Sequence, residues 1–200
     1  MKKLIIIALS ACISSTVFAN DSFSLGYAQG KFSKVDTLKG LNFKYSHDLD
    51  NQWGFITSAT YMKGDSKTST PATATNNRRT TSPKVSILET KKSQYFSLSA
   101  GPTYQVNEYI KLYGTLGLGV TNFENTEKQT TIQQQARGVS RTDRTTYIKQ
   151  RSTSFVYGAG TQINLTPNLL IDLSYEGTSA EYGKKKQKLN AFVLGVGYKF

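Results

Sequence analysis

Three sets of residues have types and spacings that suggest chemistry. The largest is cationic: Lys67, Arg78, Arg79, Lys84, Lys91 and Lys92 stand against Asp65 and Glu89 in one polar stretch. A second stretch sets Lys128, Arg137, Arg141, Arg144, Lys149 and Arg151 against Glu124, Glu127 and Asp143, and a third sets Lys184, Lys185, Lys186 and Lys188 against Glu181. Spaced basic side chains of this kind bind polyanions such as sulfated glycans or acidic proteins. Near an anionic surface each contributes about 1 kcal/mol, weakened by salt. The second set is Lys44, Asp172 and Glu176, opposite charges in otherwise alternating segments, which predicts a buried polar network before it predicts an ion path. The third set is what hydrolysis would need, and it is thin. The chain has one histidine, His47, and one cysteine, Cys12, so neither a His/Cys metal cluster nor a nucleophile relayed through an outward-facing histidine is expected. Runs such as Thr68-Ser69-Thr70 read as plain loop composition, and no phosphate-cradling glycine motif is present. The reading is a binding protein with no catalytic residue, cofactor or metal.

The elements that carry these residues follow from composition and period. The 200 residues hold 25 Lys and Arg against 13 Asp and Glu, for a net charge of +12, and are 12% aromatic with 16 glycines. That balance suggests an all-β chain with an anionic partner or surface. Lys2 and Lys3, the apolar run Leu4 to Leu9, and Val17-Phe18-Ala19 form a secretory leader cut after Ala19, leaving residues 20–200 as one domain. An anchor helix would need roughly 20 residues. Leu9-Ser10-Ala11-Cys12 is the competing lipoprotein site. Export also makes nucleic acid a poor candidate partner.

Beyond the leader the period is two. Phe23, Leu25 and Tyr27; Leu41, Phe43 and Tyr45; Trp53, Phe55, Thr57, Ala59 and Tyr61; and Phe96, Leu98, Ala100, Pro102 and Tyr104 lie on one face of four segments. Ile110 to Val120, Phe155 to Ile163, Leu169 to Tyr175 and Phe192 to Phe200 repeat the pattern, giving eight strands. The opposite face, with Lys44, Ser97, Lys111, Thr115, Gln162, Asp172 and Glu176, is polar or small. Short turns near residues 48–51, 105–108 and 164–168 alternate with longer links near 30–37, 64–92, 124–152 and 177–188. Aromatic residues sit towards segment ends. Together these features predict an eight-stranded antiparallel, up-and-down transmembrane β-barrel in the outer membrane. Its apolar side would face lipid, its termini the periplasm, and its long loops, about 64–92 and 124–152, the cell exterior. A barrel of eight strands is filled by its own side chains, so transport through an open channel is not expected.

At this point the chain resembles the Ail/OmpX/Lom group of outer-membrane proteins. The residues that carry the resemblance are Leu25-Gly26-Tyr27-Ala28-Gln29, Leu41-Asn42-Phe43-Lys44-Tyr45, Ala100-Gly101-Pro102-Thr103-Tyr104, Tyr157-Gly158-Ala159-Gly160, Leu173-Ser174-Tyr175-Glu176 and the closing Phe192 to Phe200. The resemblance implies surface-exposed adhesive loops, attachment to host cells or matrix, and resistance to complement. It also implies that Tyr198 and Phe200 form the terminal signal read by the barrel-assembly machinery. The polar stretches depart from the group's pattern, so no adhesive residue is carried over. An envelope-structural or stress-related barrel without a host ligand stays open as the alternative; in either case lipid and lipopolysaccharide surround the protein.

Overall fold

The computed structural model describes residues 21–32, 37–49, 52–70, 84–135, 138–182 and 185–200. The expected leader, Arg78, Arg79, Arg137 and Lys184 lie outside them. Among the described residues, eight antiparallel strands follow one another around a closed barrel: β1 (Asp21–Phe32), β2 (Thr37–Asp48), β3 (Trp53–Thr70), β4 (Lys84–Gln105), β5 (Ile110–Gln135), β6 (Gly138–Asn164), β7 (Leu169–Tyr182) and β8 (Lys185–Lys199). β8 returns beside β1, pairing Leu25 with Val196 and Tyr27 with Leu194. Closure leaves the membrane wall no edge strand.

Each ladder keeps one register from end to end. Following partners from Ser24 leads through Lys44, Ser58, Ser99, Gly117, Val156, Thr178 and Leu189 to Phe32, eight residues further along β1. A stagger of eight over eight strands tilts them by about 36°. Allowing for that tilt, Trp53, Tyr104, Tyr198 and Phe200 share one level, and Tyr27, Tyr61, Phe96, Tyr157 and Phe192 share another, roughly 20 Å away along the axis. All of them point out of the wall and are exposed, as are Leu25, Leu41, Leu98, Leu116, Leu118 and Leu194 between them. A closed wall with apolar residues outside and Ser, Thr, Lys and Asp inside has no packed protein core for its greasy face, which is the arrangement hydrocarbon requires.

Two expectations are corrected. The links near 64–92 and 124–152 are mostly strand rather than loop: β3 and β4 stay paired from Gly64↔Ser93 to Thr70↔Ile87, and β5 and β6 from Glu124↔Lys149 to Gln135↔Gly138. Threonine-rich sequence has strong β preference, and paired neighbours satisfy its backbone beyond the lipid, where no apolar face marks the strand. β7 pairs with β6 only from Val156, so β3 to β6 rise past the barrel as a four-stranded extension. The inner face is also not uniformly polar or small. Phe32, Leu38, Met62, Phe123, Val156 and Leu189 point inward and pack with Tyr95 as a buried apolar plug at the end away from the termini.

Candidate functional site

The inner charges fall into separate layers. Nearest the termini, buried Lys111 pairs with Asp48, which Lys199 also approaches at 3.6 Å. Above them Lys44 Nζ lies 2.5 Å from Asp172 Oδ1 and donates to Ser174 Oγ at 2.9 Å. Tyr113 donates to the same carboxylate at 2.9 Å, and Gln162 Nε2 at 3.2 Å. Glu176 does not join that pair directly. Its carboxylate accepts from Tyr95, Thr60 and Ser97 at 2.5, 2.9 and 2.9 Å, just below the plug. The arrangement braces the wall across the lumen, and the apolar plug closes the column at its far end.

His47 stands at the terminal rim with its Nδ1 2.5 Å from Asp21 Oδ1 and its ring against Phe55. Tyr198 and Phe200 sit edge to face at 4.9 Å on the outer wall, and the Phe200 backbone N–H donates to Asp21 O.

The basic residues are sorted by strand parity, because alternate residues of a strand share a face. Just past the second aromatic level, Lys31, Lys39, Lys63, Arg151 and Lys188 point outward as a collar. Between the two aromatic levels, no Lys or Arg among the described residues points outward. Continuing outward parity along the extension places Lys67, Lys92, Lys128, Arg141, Lys149 and Arg151 on its outer face, with Asp65, Glu124 and Asp143. One row across the four strands reads Asp65, Lys92, Glu124, Lys149, alternating in sign. Lys91 and Arg144 lie on the opposite face with Glu89 and Glu127.

Local pairing takes part of this charge. Lys149 meets Glu124 at 3.0 Å, Arg141 meets Asp143 at 3.2 Å, and Lys91 meets Glu89 at 3.0 Å. The Lys91 hydrogen bond holds the Glu89 carboxyl below the usual range against the opposing effect of burial, with a further contribution from Asn125. Hydrogen bonds from Thr130 and Arg141 lower that of Asp143. Lys67, Lys92, Lys128 and Arg151 form no ion pair with a described residue.

Of the expected ligand residues, Lys67, Lys92 and Arg141 therefore share the outer face, whereas Lys91 and Arg144 turn away from it. Lys84 begins β4, and Lys185 and Lys186 begin β8. Reading the stretches as loops missed Lys31, Lys39 and Lys63. The signal was available: alternation simply continues past the last aromatic residue of each strand.

A lipid-facing wall of eight strands, girdled by aromatics and crowned by basic residues, defines an outer-membrane β-barrel protein. The chain belongs to the outer membrane protein beta-barrel domain family, whose model matches residues 5–200. It is 32% identical to the attachment invasion locus protein of Yersinia pseudotuberculosis, with 100% of this chain and 97% of that one covered. It is 31% identical to the virulence membrane protein PagC of Salmonella typhimurium, covering 90% and 86%. The crystal structure of Ail, the attachment invasion locus protein of Yersinia pestis, in complex with the heparin analogue sucrose octasulfate superposes with a TM-score of 0.60 at 29% identity, covering 90% of this chain and 98% of that one. The protein is thus an outer-membrane barrel related to virulence and attachment proteins.

Proposed function

We propose that this barrel anchors a basic extension at the cell exterior that attaches the cell to polyanionic glycans or matrix of a host and contributes to survival in serum. The single observation that carries the reading is the segregation of cations: among the described residues, the outward-facing ones lie past the second aromatic level, at the end opposite the termini. In this orientation the termini are periplasmic and the first nineteen residues are a removed leader. Tyr198 and Phe200 serve as the signal for the assembly machinery. The sulfated ligand held by the related Ail protein supports the chemistry. The barrel needs no catalytic group for this role.

The alternative, an envelope barrel without a host ligand, draws support from the collar. Lys31, Lys39, Lys63, Arg151 and Lys188 sit where outer-leaflet phosphates would meet them. Retention of intact expressing cells on immobilised heparin, released by salt, tests the first reading. Absence of salt-sensitive retention contradicts it. Comparing parent and deletion strains for cell attachment and serum survival separates the two, because an envelope role changes neither.

A further inference from the structure

We infer that the polyanionic glycan docks on the outward face of the β3 to β6 extension, and that Tyr147 on that face meets its sugar rings and so distinguishes it from a bare polyphosphate. The inference rests on the polyanion reading above. Register carries the first part. The outer face sets Lys63, Lys67, Lys92, Lys128, Arg141, Lys149 and Arg151 against Asp65, Glu124 and Asp143. The inner face balances Lys91 and Arg144 against Glu89 and Glu127. A polyanion is therefore attracted to one face and met without bias on the other. Strand spacing and the rise between alternate residues set neighbouring outer cations such as Lys67, Lys92 and Lys63 roughly 8 Å apart. Arg151 and Lys149 stand roughly 7 Å apart.

Tyr147 carries the second part. It is 70% exposed on the outer face of β6, where that strand has no β7 partner. Lys149 and Thr145 flank it along the strand, and Thr126 lies beside it on β5. Tyr147 makes no ring contact with a described residue. A bare aromatic face among cations and hydroxyls suits the C–H face of a sugar ring, with sulfates reaching the lysines. A polyphosphate offers charge but no such face.

The test uses the full-length protein in nanodiscs of zwitterionic phosphatidylcholine, with a heparin-derived oligosaccharide and inorganic polyphosphate as probes. Replacing Lys67, Lys92, Lys128 and Arg151 together by Gln should weaken heparin binding by at least about tenfold. Lys91→Gln with Arg144→Gln should change it by less than about twofold. Tyr147→Ala should weaken heparin binding by about threefold to tenfold and leave polyphosphate binding unchanged. Heat-modifiable gel mobility checks that each variant is folded. Equal losses from the two charge sets overturn the face assignment. Equal effects of Tyr147→Ala on both probes, or none on either, overturn the saccharide assignment. If the unaltered protein binds neither probe, the polyanion reading falls and this inference with it. If it binds and the outer-face variant binds equally well, only this inference falls.

Discussion

Lys44 and Asp172 meet at 2.5 Å across the lumen, with side chains 3% and 0% exposed, and this contact ties β2 to β7 through the interior rather than through the wall. Two charges hidden from water are tolerable because each, besides meeting the other, is hydrogen-bonded within the lumen, Lys44 to Ser174 and Asp172 to Tyr113 and Gln162. Removing one partner leaves the other charge stranded. Asp172→Ala should therefore destabilise the folded barrel by about 3–5 kcal/mol. Lys44→Met combined with Asp172→Leu should recover most of that loss. Urea unfolding in detergent micelles, followed by gel mobility, measures both; a double variant as unstable as the single one would contradict the argument.

The plug makes a packing prediction. The rings of Phe32 and Phe123 lie 5.4 Å apart, both buried among Leu38, Met62 and Leu189. Truncating either ring to alanine should cost about 3–5 kcal/mol, and the two losses should sum to more than the double variant shows, because the second truncation enters a cavity already opened. Unfolding midpoints of the two singles and the double decide it. Heparin binding by these variants should be unchanged, since no plug residue reaches the outer face of the extension.

Acid should loosen the extension before the barrel. Glu89 is held ionised by Lys91 and Asn125, so its carboxyl titrates below its unfolded range. Its stabilising effect is complete above that range and is lost as pH falls through the lowered value. Amide hydrogen exchange near Thr90 and Lys91 should accelerate in that window, and Glu89→Gln should flatten the response. Exchange equally sensitive to acid in Glu89→Gln would assign the effect to another group.

Surface charge in the extension should matter for binding far more than for folding. The Lys149 and Glu124 side chains are 74% and 42% exposed, and exposed pairs of this kind contribute little. Glu124→Gln should leave unfolding within about 0.5 kcal/mol of the parent. It should strengthen heparin binding, because Lys149 and Lys92 lose a neighbouring anion. Weaker binding by Glu124→Gln would contradict an outer face read by charge.

The membrane half of the fold was legible because lipid enforces alternation: Leu25, Tyr27, Leu41, Phe43, Leu116 and Leu118 are outward in the structure as their period predicts. The extension was not, since water on both faces removes the apolar mark while Thr126, Thr130 and Thr145 still pair as strand. Charge counting grouped Lys91 with Lys92, yet adjacent residues of a strand point to opposite faces. The inward turn of Phe32, Met62 and Phe123 was missed although the alternation that turns their neighbours Lys31, Lys63 and Glu124 outward already implies it.

The most direct test of the account uses Trp53, the single tryptophan, which lies on the outer wall at the terminal aromatic level. With the full-length protein folded into bilayers, lipids brominated near the headgroup should quench Trp53 emission strongly. Lipids brominated deep in the acyl chains should quench it less, and aqueous iodide least. Emission untouched by any brominated lipid and quenched freely by iodide would show that the apolar face of the wall does not meet hydrocarbon, and the account would fail.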